Sequence, residues 1–117
     1  KMTNLAKLVE LCGGTEKEVE YAKKEVEKIA MKHTGELVTL LYDEIHKREL
    51  NIEYDSREFM DTNNICPECD SDGSLDGVYF ICLYGNDDVV LDEDFPCDIT
   101  KAQMYRIADT WEKLEKM

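Results

Sequence analysis

Three apolar stripes at helical spacing run through the first 50 residues. Leu5, Leu8, Val9 and Cys12 recur every three or four positions before Gly13-Gly14, which predicts a short amphipathic helix over residues 3–12. Thr15-Glu16-Lys17-Glu18 then has the form of a capping box, a hydroxyl for the N3 amide and a Glu reaching back. A second helix is expected from there, burying Val19, Ala22, Val26, Ile29 and Ala30 and stopping at Thr34-Gly35. Leu37, Leu40, Leu41 and Ile45 restart the stripe, so a third helix is expected to end near Leu50, either separate from the second or continuous with it through Gly35.

The period then shortens. Ile52 and Tyr54 alternate with polar residues, a weak strand signal, and Asp61-Thr62-Asn63-Asn64 reads as a polar loop. Val78 to Tyr84 is a β-branched and aromatic run, and Val89-Val90-Leu91 follows across Gly85-Asn86, which predicts a β-hairpin with a loop of about four or five residues. Pro96 ends the pairing. Thr100 to Gln103 caps a last helix whose Met104, Ile107, Ala108, Trp111 and Leu114 face the core. The expected fold is α+β in a single domain over 1–117: N-terminal helices (two or three) over 1–50, an acidic part with a small antiparallel hairpin or sheet over 51–98, and a closing C-terminal helix over 99–117.

Charge changes this picture more than composition does. The net charge is −13, and residues 51–98 hold 14 Asp or Glu against one basic residue, Arg57, whereas the two ends nearly cancel. So segregated a charge attracts cationic partners and repels nucleic acid and anionic membrane. The excess of 11 Lys over 3 Arg argues in the same direction, against a reader of phosphates or guanine edges. No apolar run approaches the length of a membrane span and no signal-peptide pattern opens the chain, so a cytoplasmic location is expected. Five cysteines, an odd number, fit a reducing compartment.

Cys66-Pro67-Glu68-Cys69 has the spacing of a zinc knuckle, and Cys82 and Cys97 follow. Residues 66–85 resemble half of a zinc ribbon, a knuckle feeding a hairpin, but Gly85 stands where the ribbon's last ligand would be. Cys97 is then the candidate fourth ligand, with His46 a weaker substitute. Two readings follow: zinc held by Cys66, Cys69, Cys82 and Cys97, or unliganded thiols with Cys82 a core hydrophobe beside Val78 and Phe80. Redox chemistry fits poorly, because Glu68, Asp70 and Asp72 raise a neighbouring thiol's pKa. Glu68-x-Asp70-x-Asp72-Gly73 matches the opening of a calcium loop, yet Tyr79 replaces the Glu that closes it.

No catalytic residues can be assigned. His33 and His46 lack metal-ligand spacing, and no phosphate loop or nucleophile elbow occurs. The leading expectation is a non-catalytic interaction protein. Asp70, Asp72, Asp76, Asp87, Asp88, Asp92, Glu93 and Asp94, with Asp98, would line the hairpin and take the place of a row of phosphates on a basic, nucleic-acid-binding partner protein. In size and charge the chain is similar to the small acidic inhibitors that phages use against nucleases and CRISPR effectors. The alternative, from another class, is a zinc-stabilised structural or regulatory domain with a degenerate four-cysteine, ribbon-like site. Tyr21, Val38 and Tyr42 are left over from the helical stripes and are available to a dimer or partner surface.

Overall fold

The computed structural model describes residue 10 and residues 13–96 and 98–115. Its elements run α1 (Glu16–Lys32), β1 (Val38–Asp43), β2 (Arg48–Ser56), α2 (Arg57–Asn63), a 3-10 turn (Glu68–Asp70), β3 (Gly77–Gly85), β4 (Asp88–Pro96) and α3 (Lys101–Glu115). The four strands form an antiparallel meander in the order β1-β2-β3-β4. The protein is therefore α+β, but the helices do not all precede the strands, and the sheet is twice the expected hairpin. No described helix is long and apolar enough to cross a membrane.

Local signals set the ends of α1 and α3. Thr15 and Glu18 form the reciprocal capping box, and Thr100 and Gln103 form another: each threonine hydroxyl accepts from the N3 amide while the N3 side chain accepts from the threonine amide. Val19, Ala22, Val26 and Ala30 of α1 are buried, as are Met104, Ile107, Ala108, Trp111 and Leu114 of α3. Both stripes pack on one sheet face, against Leu50, Ile52 and Tyr54 of β2, Tyr79, Ile81 and Leu83 of β3, and Leu91 and Phe95 of β4. Arg48 also lies on this face. Its guanidinium carbon sits 3.8 Å from the centre of the Trp111 ring, while its nitrogens donate to Asp43 and to the Trp111 carbonyl.

The helix expected over 37–50 is instead the β1–β2 hairpin. Its apolar spacing fits a helix only because β1 carries a bulge: the register slips between Thr39 and Leu41, so that the consecutive Leu40 and Leu41 are both buried. Ile45, assigned to the helical stripe, is 87% exposed in the turn. That turn is held by Asp43, whose Oδ1 accepts from the amides of Ile45 and His46, and it closes with Lys47 at a positive φ of 49°. Burial pushes the Asp43 carboxyl up, but hydrogen bonds from His46 and Arg48 outweigh it and hold the group below its usual range.

Two further expectations are corrected. Asp61–Asn63 belong to α2, which Ser56 starts by accepting from the Phe59 amide and which Asn64 ends in the left-handed region. The β3–β4 loop is the two residues Asn86-Asp87, with φ of 53° and 66°, as in the type I′ turn whose twist matches a hairpin. The helix expected over 3–12 falls, apart from Glu10, outside the described residues.

Gly35 ties α2 to the loop before β1. Its amide donates to the Tyr54 carbonyl at 2.8 Å, its φ is +76°, and a Cβ built there would overlap the Phe59 ring of α2. Gly35→Ala is expected to cost about 2 kcal/mol, from left-handed strain and overpacking together. Urea denaturation measures this, and a cost within a few tenths of zero would show that the loop and Phe59 shift freely.

Candidate functional site

Because side chains alternate along a strand, the residues between the core positions share the opposite sheet face. These are Thr39 and Tyr42 on β1, Glu49, Asn51, Glu53 and Asp55 on β2, Val78, Phe80, Cys82 and Tyr84 on β3, and Val89, Asp92 and Asp94 on β4. Five are carboxylates and none is Lys, Arg or His. No described helix runs the length of this face. The segment 57–76 folds over one end of it, where Val78 is fully buried and the Cys69 amide reaches Asp94 Oδ2 at 3.4 Å.

Segment 57–76 is organised by the one basic residue between 51 and 98. Arg57 donates to Asp61 from Nε and Nη2, and from Nη1 to Asp70 Oδ2 at 2.6 Å and the Leu75 carbonyl at 3.2 Å. Asp70 is 3% exposed and accepts from the Leu75 amide through its other oxygen. That amide bond, with Arg57, holds its carboxyl below the usual range against the pull of burial. The calcium-like stretch is thus closed by an internal guanidinium. Asp72 accepts from the Ser74 amide and hydroxyl in the same turn.

The expected acidic row is dispersed by this geometry. Asp70 is interior and serves Arg57. Asp72 and Asp76 are exposed on the loop, Asp87 and Asp88 are exposed at the hairpin tip, and Asp92 is exposed on the open face. Asp94 is half-buried under the Cys69 amide. Glu93 lies across the sheet, paired with Arg106 of α3 at 2.8 Å. In place of one row, the open face carries two: Glu49 and Glu53 on β2, Asp92 and Asp94 on β4, with Phe80, Cys82 and Tyr84 of β3 between them. Within a row the spacing is a multiple of about 7 Å, and the rows are two strand spacings, about 10 Å, apart. Glu49 and Glu53 were missed by the sequence reading, although the polar alternation Glu49-x-Asn51-x-Glu53-x-Asp55 is the mark of a half-buried strand.

Asp55 ends the β2 row and behaves differently. It is 1% exposed and its Oδ1 has no hydrogen-bond partner, while Glu53 lies two residues away on the same face. Burial, then the hydrogen bond and charge of Glu53, push its carboxyl up to about 7.

Cys66 is exposed, Cys69 and Cys82 are half-buried, and all three are free thiols; Cys97 lies outside the described residues. Among the described residues no three of His, Cys, Asp and Glu are grouped to hold a metal. Burial first, and then Asp94 and Asp70, push the Cys69 thiol up, which leaves it a poor nucleophile.

Compared with family models, curated proteins and solved structures, the chain matches none.

Proposed function

We propose that this chain is a non-catalytic interaction protein whose acidic sheet face and hairpin tip occupy the basic, nucleic-acid-binding surface of a partner protein, as an inhibitor or modulator. One observation carries the reading: the open face holds carboxylates on two strands with no cation among them, and the single basic residue of the acidic stretch is engaged by Asp61 and Asp70. The rows stand about 10 Å apart, on the scale of the 6 to 12 Å grooves between the phosphate rows of a duplex. Carboxylates held on a sheet are pre-ordered, so less entropy is lost on binding than with an acidic tail.

Displacement of duplex DNA from a panel of basic nucleases and CRISPR effectors tests the reading. For an enzyme that the protein displaces from DNA, Glu53→Lys with Asp92→Lys should weaken binding at least tenfold and make it less salt-dependent, with an unchanged circular dichroism spectrum. Equal affinity and an equal salt slope after the double reversal would sink it.

A further inference from the structure

At one end of the open face the tips of the two hairpins meet, the Asn86 amide donating to the Lys47 carbonyl at 2.8 Å. Between them lies a cavity of about 420 Å³ lined by Tyr42, Glu44, Lys47, Arg48, Glu49, Tyr84 and Asp87. Tyr42, Glu49 and Tyr84 are direct cross-strand neighbours on β1, β2 and β3, so the two phenol rings stand on either side of a carboxylate. Of the lining charges, Glu44, Glu49 and Asp87 are negative, and Arg48 directs its guanidinium to Asp43 and Trp111 on the helical side. Lys47 is the lining cation left to compete for the carboxylates. Tyr42 is 63% exposed, a large aromatic surface held at the mouth.

We infer that this cavity is a socket for an arginine side chain of the bound partner. The inference rests on the reading above and names the side chain that the acidic face selects. A guanidinium is a flat cation: it stacks on tyrosine faces and offers a fork of N–H donors to the carboxylate between them. Lysine satisfies the charge but not the plane. The hydrogen bond and charge of Cys82, then burial, then the carboxylates of Asp92 and Glu49, push the Tyr84 phenol up, which keeps that ring neutral.

Titration of the protein with hexa-arginine and hexa-lysine, read by anisotropy and by NMR shift changes, tests the socket. Hexa-arginine is expected to bind about tenfold tighter, with the largest shifts at Tyr42, Glu49 and Tyr84. Tyr42→Ala and Tyr84→Ala should each bring arginine affinity down toward that of lysine. Lys47→Gln should tighten both peptides about two- to threefold by removing the competing cation. Equal affinities, or shifts confined to other acids, would overturn the socket and leave the acidic-face reading standing; binding of neither peptide would overturn both.

Discussion

Asp55→Asn is expected to make the protein more stable at pH 8, by about 2–4 kcal/mol, and to change little near pH 4. The carboxyl titrates near 7 in the folded chain against an ordinary value of 3.8, so between those values the folded state holds a proton that the unfolded state has released. The stabilisation from that proton is complete below about pH 4 and is lost as pH rises through 7. At pH 8 the native protein must bury a second negative charge beside Glu53 with one oxygen unpartnered, and the amide removes that cost. Asp70 and Asp43 have the opposite sign: their folded values are lowered, so their contribution is present above the unfolded value and fades as pH falls. Together they place maximum stability at about pH 4, where the lowered pair is already ionised in the folded state and Asp55 still keeps its proton. Chemical denaturation of both proteins across pH 4–9 measures this. If Asp55→Asn were the less stable protein at pH 8, Asp55 would be an ionised, partnered group and the pairing with Glu53 would be wrong.

Arg57→Met should destabilise by about 2–4 kcal/mol, because it strands the Asp70 carboxylate in the interior with backbone amides but no charged partner. The Arg57 side chain is itself about 29% exposed, which puts the cost below that of a fully buried pair. Arg57→Met with Asp70→Asn should recover much of the loss, since removing both charges avoids the unpaired one. A double-mutant cycle by urea denaturation gives the coupling directly. Additive losses would mean that Arg57 acts mainly through Asp61 at the surface. The result bears on function as well. If Arg57 is internal cement, the outward face of the acidic stretch carries no compensating charge.

How much of the site was legible follows from the range of each signal. Asp87, Asp88 and Asp92 are legible in the sequence as hairpin positions, because the hairpin is a local structure marked by its β-branched run and its turn residues. Asp70 was misplaced because its burial depends on Arg57, 13 residues away, and charge alone does not say which acid a lone arginine will take. Tyr42 and Glu49 were hidden in an expected helix. One bulged residue, Leu40, had put the leucines of β1 at helical spacing, so the two-residue period of β2 was attributed to a helix until near Leu50.

What the sequence determined by itself is what neighbouring residues decide. The capping boxes at Thr15 and Thr100, the buried stripes of α1 and α3, the β3–β4 hairpin and the separation of charge all rest on contacts or counts within a few positions. The tertiary structure alone decided the pairing of β2 with β3, which joins two hairpins into one sheet, and with it the face on which each carboxylate stands. That pairing has a loop of 20 residues between Ser56 and Gly77, and its closure entropy is offset only by the apolar layer buried under both helices. No local signal encodes it, yet it is what draws Tyr42, Glu49 and Tyr84 into one row and sets Glu49 and Glu53 of β2 on the same sheet face as Asp92 and Asp94 of β4.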